Sequence, residues 1–89
     1  MFNSKTLNIR IEEARRDARL MDSLIREHLP FIRESAYRSV GYWIREEEDL
    51  WSAALMAFHE AVLHFQGGRG AFYPYARLVI RGHGLDLLV

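Results

Sequence analysis

The chain contains no cysteine, which excludes disulfide staples and thiolate-bound zinc and is compatible with a reducing compartment. It has no net charge, with twelve Lys and Arg against twelve Asp and Glu, so composition does not mark a globally basic nucleic-acid binder. No apolar run approaches the roughly 18 residues of a membrane span, and the start MFNSKTLNIRIEEARR lacks the apolar centre of a secretory signal. On these grounds the chain reads as soluble and intracellular. There is no repeat, no low-complexity tract and no β-hairpin signal. What is present is ordinary globular composition, 49% hydrophobic and 27% charged over 89 residues. That supports one core and a single domain spanning residues 1–89.

The apolar spacing predicts an all-α bundle of about four helices. From Leu7 to His28, Ile9, Ile11, Ala14, Ala18, Leu20, Met21, Leu24 and Ile25 recur mainly at three- and four-residue steps, the pattern of one long amphipathic helix. Leu29 precedes Pro30, and a residue before proline disfavours helical geometry. Pro30 suits the first turn of a second helix carrying Phe31, Ile32, Ala36, Tyr37 and Val40. Gly41, Tyr42 and Trp43 then read as a connection. The acidic run Glu46 to Asp49 favours a third helix start through the helix dipole. Leu50, Trp51, Ala54, Leu55, Phe58, Ala61, Val62 and Phe65 give that helix a broad buried stripe. Gln66-Gly67-Gly68-Arg69-Gly70 is expected to stop it by a left-handed glycine. Pro74 opens a fourth helix, weakened at Gly82 and Gly84 by roughly 1 kcal/mol each.

Catalysis has little to stand on. His28, His59, His64 and His83 form no close metal-binding pattern, and His59 and His64 diverge on a helix. The Gly-Gly-Arg-Gly segment lacks the lysine of a phosphate loop and follows no strand. No Ser-His-Asp arrangement can be assembled, so the chain reads as a non-enzyme without metal or cofactor. Nucleic-acid chemistry has more support. Unstacked bases are held on aromatic faces and phosphates by arginine, and Phe72, Tyr73, Tyr75, Arg77 and Arg81 supply both within ten residues. The competing reading makes Phe72 and Tyr75 core residues and the arginines a wetted surface.

The string from Asp49 to Asp86 carries a resemblance. Asp49-Leu50, the alanine-rich stretch from Ala53 to Ala57, Ala61-Val62 with Phe65, Arg69-Gly70, then Phe72, Tyr75-Ala76 and Ile80-Arg81 follow one another in the order and spacing of region 2 of bacterial sigma factors of the sigma-70 family. SAALMAFHEAV is most similar to the sigma-I branch. The resemblance covers residues 24–89 and reaches the first helix only through its amphipathic character.

It implies a transcription-initiation domain in the cytoplasm with two partners. The helix from Asp49 to Phe65 would dock on the clamp helices of the RNA polymerase β′ subunit through Asp49, Ser52, Ala53, Met56 and Glu60. The segment from Arg69 onward would face the promoter −10 element, with Arg69, Phe72, Tyr73, Tyr75 and Arg77 on the separating strand and Arg81 on its backbone. Departures from the family qualify this. Leu78 and Val79 stand where primary sigma factors carry two tryptophans, the glycine turn is followed by one residue fewer, and Gly82 and Gly84 replace a basic stretch, so melting is expected to be less autonomous.

The apolar end Leu87-Leu88-Val89 and the lack of a helix-turn-helix signal imply a fragment of a longer protein without its −35-binding domain, or a reduced paralogue. An alternative function is a sigma-derived protein-interaction module that binds an anti-sigma factor or regulator and does not melt DNA. An unrelated bundle dimerising through Leu87 to Val89 is a further possibility.

Overall fold

The computed structural model describes the backbone of residues 4–88 and the side chains of residues 5–68 and 70–83. Within them the chain is all-helical: α1 (Ser4–Ala14), α2 (Ala18–Glu27), α3 (Leu29–Val40), α4 (Asp49–His64), a single 3-10 turn (Gly67–Arg69) and α5 (Phe72–Leu88). α5 packs chiefly on α4 and α3, and α1 folds back on α2.

The expected long first helix is two helices. Its periodicity continues across residues 15–17, but Asp17 takes an extended backbone and its side chain accepts from the Arg19 N–H at 2.9 Å. That is an N-cap, which restarts the helix and lets α1 turn. Leu7, Ile11 and Ala14 on α1 and Met21 and Leu24 on α2 all enter one core, with α1 packed on α2.

His28 ends α2 and begins α3. Its N–H bonds the Ile25 carbonyl at 3.0 Å, one residue short of helical register, and its own carbonyl accepts from Ile32 at 2.9 Å. Pro30 sits in the first turn of α3, where its missing N–H costs no bond. α3 ends at Gly41, whose φ of 83° is the left-handed C-cap that glycine adopts without strain. Arg33 closes the connection to α4: it donates to the Ile44 carbonyl at 2.7 Å and lies over the Trp51 ring at 4.4 Å.

α4 supplies the centre of the bundle. Trp51, Ala54, Ala57, Phe58, Ala61 and Val62 are buried along it, and its alanines admit α5 closely. Its stop differs from the expectation. The helix ends at His64 before the glycines, and the cap is Phe65 in an extended conformation with its ring in the core. The terminal carbonyls of a helix lack intrahelical partners; here the Arg15 guanidinium takes them, with Nε on the Val62 carbonyl at 2.8 Å and Nη2 on that of Phe65. The glycines form the short turn instead, with Gly70 at φ 111° leading into α5. α5 runs through Gly82 and Gly84 to Leu88 despite their low helix propensity.

Arg15→Ala should lower stability by about 1–2 kcal/mol, because two carbonyls lose a charged donor. Lysine should restore little of it, having no planar fork to span both. Urea midpoints of the three proteins check this, and a fully rescued lysine variant would assign the effect to charge alone.

Candidate nucleic-acid and protein interfaces

α4 has two unlike sides. Opposite its buried stripe, Asp49, Ser52, Met56 and Glu60 are exposed and Ala53 is half-exposed. At 3.6 residues per turn these five lie within about 100° of one another. Met56, 60% exposed, is an apolar residue at the middle of this stripe. Met56 also borders a hollow of about 310 Å³ between α2 and α4, lined by Ala18, Met21, Ile25 and Leu55 among others. At the far end Glu60 accepts from His83 Nε2 of α5 at 3.0 Å. All five residues expected at a polymerase interface therefore share one accessible face.

The residues expected to meet nucleic acid divide. Phe72 is 2% exposed, its ring set edge-on against Phe58 at 5.7 Å and Phe65 at 5.3 Å between centroids. It belongs to the core, because its position in α5 is in phase with Ala76 and Ile80, which are also buried. This corrects its expected place as a base platform. Tyr73 is half-buried among His28, Phe31 and Phe72. Tyr75 is also half-buried and leans on Phe65 at 5.8 Å. Two residues before Arg77 puts Tyr75 roughly 200° around the helix from it, so the two do not share a surface. The side chain of Arg69 lies outside the described residues, as do those of Leu87, Leu88 and Val89.

Arg77 and Arg81 do come together. They line a groove of about 550 Å³ between α3 and α5, with Pro74 and Leu78 on the same helix and Ser35, Arg38 and Ser39 opposite. Arg77 lies over the Phe31 ring at 5.2 Å and pairs with Glu34 at 3.2 Å. Arg81 is exposed and pairs with no carboxylate among the described residues. Leu78 is 67% exposed at the groove. The sequence reading omitted Arg38 and Ser35, which sit on a helix it treated only as core. Their place in the groove depends on the approach of α5, which leaves no mark along the chain.

His28 was also missed, having been weighed only as a metal ligand. It is 1% exposed, with Nδ1 at 2.8 Å from the Leu24 carbonyl and Nε2 at 2.8 Å from Tyr73 Oη. A carbonyl only accepts, so Nδ1 carries the proton and the Tyr73 hydroxyl donates to Nε2. The Leu24 carbonyl is open to the ring because the His28 N–H bonds Ile25 instead. Burial pulls the imidazole below its ordinary value, against the opposing effects of the Leu24 bond and the Glu27 charge, with Arg10 adding to the fall. Burial likewise raises the Tyr73 phenol. The pair is thus a neutral latch that joins the α2–α3 junction to α5.

Among the described residues no group of His and carboxylates could hold a metal ion, and no helix is long and apolar enough to cross a membrane. A model of the family described as Sigma-70 region 2 matches residues 24–89. Over 84 residues the chain is 29% identical to RNA polymerase sigma factor SigI7 of Acetivibrio thermocellus. That match takes in 93% of this chain and 36% of the relative, so the chain spans about a third of SigI7. No solved structure matches it significantly.

A histidine held below its unfolded value is neutral when folded, so the unfolded chain binds the extra proton first. The latch's contribution is complete above about pH 6.5 and is lost as pH falls through the folded value. The stability advantage of the native protein over His28→Gln should therefore shrink between about pH 7.5 and about pH 5. Paired urea titrations measure it; an advantage constant over that range would refute a buried neutral imidazole.

Proposed function

The chain belongs to the sigma-70 region 2 family, a family of non-enzymatic transcription-initiation factors, and from that membership we propose that it binds RNA polymerase core through α4 and promoter DNA through the α3–α5 groove. The observation that carries this reading is the separation of the two surfaces. The exposed stripe from Asp49 to Glu60 and the groove of Arg38, Arg77 and Arg81 are held on different helices of one bundle, so both partners bind at once.

On the polymerase side the reading gives Asp49, Ser52, Ala53, Met56 and Glu60 to the clamp helices of β′. Met56 is the apolar anchor, of the kind that dominates interface energetics when it fills a pocket. Asp49 supplies charge that steers docking. On the DNA side, the groove arginines hold backbone phosphates of the separated strand at the −10 element. Tyr75 and Leu78 remain available to bases on the two flanks of α5, and Tyr73 presents only an edge.

A second reading is favoured by the fate of the aromatics. Phe72 is committed to the core and Tyr73 to His28, which removes two of three base platforms. On this reading the domain keeps its protein-binding face, for polymerase or an anti-sigma factor, and has lost the ability to melt DNA.

Asp49→Lys should weaken binding to polymerase core about tenfold or more, chiefly through slower association, in a pull-down or interferometry assay. Unchanged binding would remove α4 from the interface. Arg38→Ala combined with Arg81→Ala alters two exposed heads and should leave the fold intact. It should flatten the salt dependence of single-strand binding by about 1.4 in log–log slope, two phosphate contacts at roughly 0.7 each. Core binding retained with no measurable single-strand binding by the native chain would favour the second reading.

A further inference from the structure

Two of the three groove arginines, Arg38 and Arg77, already share an internal carboxylate. Glu34 Oε1 receives Arg38 Nε at 3.2 Å and Arg77 Nη2 at 3.2 Å, so one carboxylate oxygen bridges two cations from facing helices. This is the geometry in which guanidinium groups converge on a phosphate oxygen. The bridge also divides the α3–α5 cleft. On one side lies the hollow of about 550 Å³ with Ser35, Arg38 and Arg81. On the other is one of about 330 Å³ bordered by Pro30, Phe31, Glu34 and Tyr73, with Pro74 and Arg77 common to both.

Two polar groups of residues lining the larger hollow have no hydrogen-bond partner. Ser35 is 3% exposed and its hydroxyl makes no hydrogen bond, and Arg77 Nε is buried and unpaired. Buried donors without partners are uncommon and costly. Both belong to residues that line the larger hollow, while the two atoms themselves are closed to solvent.

We propose that Glu34 is an internal stand-in for phosphate: it occupies the anion position of the groove in the free domain, and a backbone phosphate of single-stranded nucleic acid displaces it. Displacement frees Arg38 and Arg77 for the strand, gives Ser35 and Arg77 Nε their missing acceptors, and joins the two hollows into one track reaching the exposed edge of Tyr73. Glu34 is half-exposed, so its carboxylate swings into water without unfolding α3. It therefore sets the affinity threshold for the strand, and the proposal rests on the groove being the nucleic-acid site.

Fluorescence anisotropy with a labelled 12-residue oligothymidylate tests it, on the native chain, Glu34→Gln and Asp22→Asn. Asp22 pairs with Arg26 on the exposed surface of α2, so its variant makes the same change in net charge away from the groove. The expected result is about threefold or more tighter binding by Glu34→Gln, with a steeper salt slope, and little change in Asp22→Asn. Binding by Glu34→Gln alone, with none by the native chain, would equally support the internal occupant. Native binding that Glu34→Gln does not tighten, or that Asp22→Asn tightens as much, overturns the role of Glu34 while leaving the groove as the strand site. No binding by any of the three overturns both.

Discussion

The ring of Phe58 is the point at which the bundle is fixed. It is fully buried and meets His28 at 5.2 Å, Phe31 at 6.2 Å and Phe72 at 5.7 Å. Those neighbours come from the α2–α3 junction, from α3 and from the start of α5, so one side chain of α4 sets three helices against each other. Aromatic contacts of this kind carry a directional preference beyond their buried area. Edge-on approach of Phe72 leaves one phase for α5, with Ala76 and Ile80 inward. Arg77 and Arg81 are then turned toward α3, and His83 toward Glu60.

This fixing explains why aromatic content and nucleic-acid chemistry do not coincide in α5. A family resemblance assigns Phe72, Tyr73 and Tyr75 together, yet a helix cannot present three successive or near-successive positions to one ligand. Phe72 completes the core, and Tyr73 closes on His28 through its hydroxyl. Tyr75 lies on the flank toward Phe65. The arginines instead line a cleft that has α3 as its second wall. The helix flanking the proposed strand site is thus also the helix that supplies Arg38 and Glu34.

The sequence made the fold class, α3, the start of α4 and the course of α5 legible, because apolar phase and proline placement are local signals. Asp49, Ser52, Ala53, Met56 and Glu60 came from the family resemblance, and the helical period puts those five positions on one face. The break at Asp17 was hidden by apolar spacing that runs unbroken across it, and only a cap bond reveals it. The end of α4 was assigned to glycine because a glycine cluster follows, whereas Arg15, 47 residues before Val62, supplies the partner carbonyls need. His28 and Arg38 were illegible for the same reason: their roles depend on contacts with Tyr73 and with the α5 groove, which have no signature along the chain.

Neutral composition now has a structural meaning. Arg10, Arg15, Arg26, Arg33, Arg38, Arg45 and Arg77 each pair with a carboxylate, so most of the positive charge is spoken for locally. Exposed pairs of this sort contribute only about 0–1 kcal/mol to stability, which makes them poor candidates for holding the fold. Their larger effect is on the field: a guanidinium beside a carboxylate attracts a distant phosphate weakly, because the two potentials cancel beyond roughly a Debye length of 8–10 Å. A strand is therefore not drawn in from afar by this domain. On the proposed reading the strand is delivered instead by the enzyme on which the α4 face docks. If the α4 face docks as proposed, weak long-range attraction and a separate docking face are parts of one design, in which indiscriminate nucleic-acid binding is suppressed until the partner brings the strand within contact distance of Arg81.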